Sequence, residues 1–202
     1  MIKNIVFDIG GVLVDYVPEK ALRNIGIQEE LVTPLMNATV RSYLWPELDR
    51  GFIPEKVIVD CMMEENPEMA PLIQFFFDKG LNGLVEAFPH SAEWLEDLKK
   101  RDYGIFLLTN YPQNLFELHW KNKFTFTRFV DGKVVSGEVH KLKPDQAIYQ
   151  CLFDTYGLKA EECVFIDDRK ENVLAAKYMG MNGLQFSNYE DTRYMLENML
   201  QK

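Results

Sequence analysis

Residues 5–16 read IVFDIGGVLVDY. Three apolar residues run into an acid, Asp8, and two glycines follow at Gly10 and Gly11. A short, nearly continuous apolar run reads as a strand covered on both faces, as in a parallel sheet. In an open α/β sheet, ligands sit beyond the carboxyl ends of the strands. A carboxylate at such an end is therefore placed for chemistry. Taken alone, Asp8 would read as a turn or helix cap, so the rest of the chain has to decide.

Three further runs have the same character: Ile105 to Leu108 (IFLL), Val164 to Ile166 (VFI) and Leu184 to Phe186 (LQF). Helical patterns alternate with them. Ser91 is expected to cap a helix through EWLEDLKKR, with Trp94, Leu95 and Leu98 on one face. Pro144 is expected to open a second, carrying Ile148, Tyr149, Leu152 and Phe153 and stopping at Gly157. ENVLAAKYMG and TRYMLENML supply two more. The alternation predicts an α/β fold with a doubly wound, Rossmann-like parallel sheet.

Residues 15–88 break the rhythm. They show helical stretches punctuated by Pro34, Pro46, Pro54, Pro67 and Pro71, and no convincing strand. They read as a helical cap domain inserted into a core formed by residues 1–14 and 89–202, with hinges near Asp15 and Phe88. Turn signals at Asp131-Gly132 and Ser136-Gly137 predict a short hairpin within RFVDGKVVSGEV. No internal repeat and no low-complexity segment is evident.

Composition narrows the function. The 202 residues are 47% hydrophobic and 26% charged, which is ample for a core without disulfide or metal staples. A net charge of -9 weighs against nucleic acid and anionic membrane surfaces as partners. No stretch approaches the roughly 20 apolar residues of a membrane span. Cys61, Cys151 and Cys163 are odd in number and lack metal spacing, so they read as reduced core thiols in a cytoplasmic protein. His90, His119 and His140 are assigned surface or structural roles, and Met179, Met181, Met195 and Met199 packing roles. The sequence carries no statement of oligomeric state.

Polar groups gather at the expected strand ends. Asp8 follows IVF, Thr109 and Asn110 follow IFLL, Lys143 sits in KLKP, and Asp167-Asp168 follow VFI. Singly, each has a plain reading: a loop cap for Thr109-Asn110, a solvated charge for Lys143, an N-cap pair for the two acids. Together they supply a nucleophile, a hydroxyl donor, a cation and a carboxylate pair. That set suits phosphoryl transfer. Mg²⁺ takes carboxylates plus phosphate and water, and an aspartate can attack phosphorus.

The segments FDIGGVL, LLTN, KLKPDQAIY and FIDDRKENVLAAKYMGM resemble the four motifs of the haloacid dehalogenase superfamily, in order and over the whole chain. The resemblance implies that Asp8 is the nucleophile and a Mg²⁺ ligand, and that the Gly10 carbonyl is another. It implies that Thr109 and Lys143 bind phosphate and that Asp167 and Asp168 complete the metal site. Lys143 fits the motif better than Lys141. Phosphatases of this superfamily usually carry DxD in the first motif, where the second Asp protonates the leaving group and then activates water. Here that position is Gly10. General acid–base help is typically worth about 10²–10⁴ in rate, so its loss is severe.

Three functions follow from that departure. The first is a Mg²⁺-dependent phosphatase of a small phosphorylated metabolite, most readily a sugar phosphate such as a hexose 1-phosphate. An anomeric hydroxyl is a better leaving group, and the DxGxV form resembles a branch that includes glucose-1-phosphate phosphatases. The second is a 2-haloacid dehalogenase, whose first motif also lacks the second Asp, though it has no use for the acid pair. The third is a regulatory protein that retains a phosphate pocket. Candidates for a substitute proton donor are Asp15, beside the hinge, and the cap residues Asp49 and Arg50 in ELDRGFIP. Asp49 and Arg50 are also expected to meet the substrate from the cap.

Overall fold

The computed structural model describes residues 1–201. Among them the strands are β1 (Asn4–Phe7), β2 (Val14–Tyr16), β3 (Val85–Ala87), β4 (Gly104–Thr109), β5 (Gly132–Val135), β6 (Cys163–Asp167) and β7 (Asn182–Gln185). Five helices lie between β2 and β3: α1 (Pro18–Asn24), α2 (Glu29–Ala38), α3 (Trp45–Arg50), α4 (Glu55–Glu65) and α5 (Ala70–Lys79). Six more accompany the remaining strands: α6 (Ser91–Lys100), α7 (Gln113–Asn122), α8 (Ser136–Val139), α9 (Gln146–Tyr156), α10 (Lys170–Tyr178) and α11 (Tyr189–Leu200).

The main sheet has the order β5-β4-β1-β6-β7 and is parallel throughout. Strand β1 is central because its residues are apolar on both faces. Ile5, Phe7, Ile105, Leu107, Val164 and Ile166 join one buried cluster, which includes Trp94, Leu95 and Leu98 of α6 and Leu196 of α11. Their alternates Val6, Phe106, Leu108 and Phe165 join the other, with Ile148, Tyr149 and Leu152 of α9 and Ala176 of α10. The two-residue period of a strand thus sorts one continuous apolar run onto two helical layers. Each fully buried Phe or Leu contributes about 1.5–3 kcal/mol over leaving it exposed. The first cluster continues into the insertion through Leu35, Met62 and Phe76.

Register sets the site. Phe7 pairs with Leu107 on one side and Ile166 on the other. Asp8 and Asp167 therefore leave the sheet at the same level on adjacent strands, and Thr109 ends β4 close by. The chain runs outward from β1 in opposite directions, through β4 and β5 and then β6 and β7, so this end is the topological switch point.

Several local expectations need correction. The insertion contains strand: β2 and β3 pair antiparallel, with Asp15 opposite Glu86, and form a two-stranded ribbon at its base. Six residues are too few to show periodicity, which is why they escape a pattern reading. The hairpin in residues 128–139 does not form. Asp131 accepts the Ile105 N–H at 2.7 Å and the Lys99 ammonium at 2.8 Å, β5 then pairs in parallel with β4, and α8 begins at Ser136. Ser91 does not cap α6; its hydroxyl donates to the Leu13 carbonyl at 2.7 Å, tying the helix to the loop after β1. Helix α9 starts at Gln146 rather than Pro144. Only Cys163 is buried, while Cys61 and Cys151 are half-buried. No helix among the described residues is long and apolar enough to cross a membrane.

Candidate active site

The turn after β1 brings backbone and side chains together tightly. The Ile9 carbonyl accepts the N–H groups of Leu13 at 2.8 Å and Val14 at 3.0 Å. Gly11 adopts φ +70°, and a Cβ there would stand 2.7 Å from the Asp168 carboxylate, so the position needs glycine for both reasons. Gly10 differs: a Cβ there would meet nothing within 4 Å. Its carbonyl accepts no hydrogen bond among the described residues.

Lys143 is 4% exposed and joins two acids. Its ammonium lies 2.9 Å from Asp8 Oδ1 and 2.7 Å from Asp167 Oδ2, above the Phe165 ring. Asn110 holds the lysine main chain at both ends: its Nδ2 donates to the Lys143 carbonyl at 3.0 Å, and its Oδ1 accepts the Lys143 N–H at 2.8 Å. The amide of Asn110 is therefore occupied with positioning Lys143, although the residue lines the cavity.

The two aspartates bridged by Lys143 have different freedom. Asp167 is fully buried and saturated: Oδ1 accepts the Arg169 N–H and Asn172 Nδ2, and Oδ2 accepts Lys143 Nζ and Asn172 Nδ2. Asp8 Oδ1 accepts the Ile9 N–H at 2.7 Å as well as the lysine, which leaves Oδ2 without a donor among the described residues. Burial pushes the Asp8 carboxyl up to about 6, against the pull of Lys143. Asp168 is exposed, and its side chain makes no hydrogen bond among the described residues.

Asp8, Asp167 and Asp168 can each present a carboxylate oxygen within 4.8 Å of the others. Three acids so close repel one another, and one lysine only partly offsets this. The hard oxygen set of the Asp8 carboxylate, Asp168 and the Gly10 carbonyl, the last two unpartnered among the described residues, fits a divalent cation such as Mg²⁺.

These groups face a cavity of about 410 Å³, a size ordinary for a small-molecule site. Asp8, Gly10, Thr109, Asn110, Lys143 and Asp168 line its floor. Thr109 is 1% exposed and donates to no protein group among the described residues. The insertion supplies the roof with Tyr16, Val40, Trp45 and Asp49. Burial, with the Asp8 charge behind it, pushes Asp49 up to about 7. Asp15 also borders the cavity, but from the exposed side of β2.

Arg50 does not reach the cavity. Its guanidinium turns back along α3 to Glu47 at 3.6 Å, and its carbonyl meets the His140 ring at 3.2 Å. Two contributors escaped the sequence reading. Asn172 buttresses Asp167 from five residues further along, a spacing that could have signalled it. Tyr111 lines the cavity, and its hydroxyl bonds His119 Nδ1 at 2.5 Å, while His119 Nε2 donates to the Leu81 carbonyl at 2.8 Å. Burial lowers His119 to about 4, so the ring is neutral and serves as a structural link.

Residues 2–180 match the family of haloacid dehalogenase-like hydrolases. The chain belongs to that family. Among curated relatives, a sesquiterpene phosphatase of Aspergillus oryzae is 25% identical over 194 residues, covering 92% of this chain and 90% of its own length. A D-ribitol-5-phosphate phosphatase of Bacteroides thetaiotaomicron is 27% identical over 222 residues, covering 99% of each. A family enzyme from the same bacterium, solved as a magnesium complex, superposes with a TM-score of 0.77 at 21% identity, covering 96% of this chain and 98% of that one. The match in fold extends through the helical insertion.

Proposed function

We propose that this hydrolase is a Mg²⁺-dependent phosphatase of a small phosphorylated metabolite, with a sugar phosphate such as a hexose 1-phosphate as the substrate class. The observation that carries the reading is the juxtaposition of a one-sided nucleophile, a buried ammonium and an acid cluster in one cavity. Asp8 has one oxygen engaged by donors and one free. The free oxygen attacks phosphorus and forms an aspartyl-phosphate, while the alcohol leaves. Lys143 and the Thr109 hydroxyl neutralise and orient the phosphoryl oxygens. Water then cleaves the acyl phosphate.

Asp8, the Gly10 carbonyl and Asp168 would hold Mg²⁺ directly, and Asp167, already saturated, would act through its neighbours. When bound, the ion supplies Lewis-acid stabilisation of phosphoryl charge. The acid cluster favours this reading over carbon–halogen cleavage, in which Asp168 has no task. Trp45 and Tyr16 offer apolar faces suited to a sugar ring. Residues 15–88 act as a cap over the core of residues 1–14 and 89–202. Free cysteines support a reducing, cytoplasmic setting.

The test is phosphate release from hexose 1-phosphates, hexose 6-phosphates, nucleotides and an aryl phosphate, with Mg²⁺, with EDTA and with Asp8→Asn. Metal-dependent release that favours the 1-phosphates and vanishes in Asp8→Asn is expected. Release unaffected by EDTA or by Asp8→Asn would overturn the reading.

A further inference from the structure

The fold leaves proton transfer without an owner, because Gly10 has no side chain. We propose that Asp49, delivered from the insertion by α3, is the general acid and base of this phosphatase. The inference rests on the phosphatase reading above and extends it.

Four observations carry it. Asp49 borders the same cavity as Asp8, Thr109 and Lys143. Its carboxylate makes no hydrogen bond or ion pair among the described residues, whereas its neighbours Glu47 and Arg50 neutralise each other. The main chain around it is docked on the core: the Asp49 carbonyl accepts Ser136 Oγ at 2.5 Å, and the Arg50 carbonyl meets His140 Nδ1 at 3.2 Å. Gly51 closes the turn at φ +66°, against the Gly137 carbonyl, where a Cβ would stand 2.5 Å from the oxygen. A free carboxyl on an anchored turn, facing the nucleophile, has the makings of a proton donor. Asp15 borders the same cavity but is exposed, on the ribbon opposite Glu86, and has no docked turn like that at Gly51.

The steps balance. Asp8 Oδ2 forms a bond to phosphorus as the bond to the leaving oxygen breaks, and the Asp49 carboxyl proton passes to that oxygen, releasing the alcohol. The Asp49 carboxylate then takes a proton from water as the water oxygen attacks phosphorus. The bond from phosphorus to Asp8 breaks, inorganic phosphate departs, and Asp49 is protonated again.

Asp49→Asn is isosteric and separates a proton-transfer role from a structural one. Wild type and variant are compared on p-nitrophenyl phosphate, whose leaving group needs no proton, and on glucose 1-phosphate and glycerol phosphate, whose leaving groups do. In the variant, kcat/KM for the alkyl and sugar esters is expected to fall about 10²–10⁴-fold. For the aryl ester it should change by less than about threefold. A burst of p-nitrophenol stoichiometric with enzyme should precede a slow steady state, because the acyl phosphate now lacks its base. In Asp49→Ala, added formate should restore part of the rate. Equal losses on all esters with no burst, no loss on any, or transfer of the leaving-group dependence to Asp15→Asn would each overturn the proposal. An inactive wild type, or an Asp8→Asn as active as wild type, would instead overturn the phosphatase reading and Asp49 with it.

Discussion

The hydroxyl of Ser136 donates to the main-chain carbonyl of Asp49 at 2.5 Å, joining residues 87 positions apart in sequence. The same oxygen accepts the Tyr111 N–H at 2.8 Å. One buried side chain thus ties the loop after β4 to the last turn of α3. The end of β4 that carries Thr109 and the turn of α3 that carries Asp49 are held to a common point.

Ser136→Ala should therefore act through Asp49. It leaves a donor on Tyr111 and an acceptor on Asp49 unmet, at about 1–3 kcal/mol per buried group. The expected result is a loss of about tenfold in kcat/KM on a sugar phosphate. With Asp49→Asn already present, the further loss should be much smaller, and a double-mutant cycle measures the coupling. Additive losses would separate the two residues.

Gly10 is open enough to test the chemistry by restoration. A Cβ there meets nothing within 4 Å, and φ is not left-handed, so Gly10→Asp should fold. In the Asp49→Asn background it returns a carboxyl to the first motif. A gain of about tenfold or more on alkyl phosphates is expected, within the usual worth of acid–base help. Steady-state kinetics of the double variant, with circular dichroism as a folding control, checks this.

Lys143→Met removes the only cation touching Asp8 and Asp167 among the described residues. Breaking a buried ion pair costs about 3–5 kcal/mol, and metal-free urea unfolding at pH 7 should show a loss of that order. The pH dependence gives a second check. The Asp8 carboxyl already sits raised at about 6 with the lysine present, and it rises further without it. A raised folded pKa means that the native state binds the proton first, so the variant should regain stability as the pH falls through that range.

His119 predicts the opposite slope. The folded imidazole is lowered to about 4, against 6.5 in the unfolded chain, chiefly by burial. Between those values the unfolded state binds the proton first, so stability falls as the pH drops from about 6.5 to 4, by about 3 kcal/mol in all. His119→Gln abolishes this component. Urea unfolding across that window should show a shallower acid loss in the variant than in wild type.

Much of this protein is legible along the chain. Ile5 to Phe7, Ile105 to Leu108 and Val164 to Ile166 announce buried parallel strands, because a strand covered on both faces must be apolar at every position. Asp8, Thr109, Lys143 and Asp167-Asp168 follow at their ends, where a parallel sheet opens toward ligand. These are local signals: period, strand end and short motif. The ribbon of β2 and β3 was not legible, since three-residue strands carry no period and owe their conformation to each other. The expected hairpin failed because Asp131 is recruited by Ile105 and Lys99, partners that no turn rule contains.

What the sequence by itself determined is the sheet, the motif order and the absence of a side chain at Gly10. It offered Asp15, Asp49 and Arg50 without ranking them, because their value depends on where a helical insertion docks. Tertiary structure alone decided that Arg50 turns away to Glu47, that Asn110 holds Lys143, and that Asp49, unpartnered among the described residues, shares a cavity with Asp8. The physical reason is that a side chain's partners are set by packing between segments far apart in the chain, through contacts such as Ser136 with Asp49 and Gly51 with Gly137.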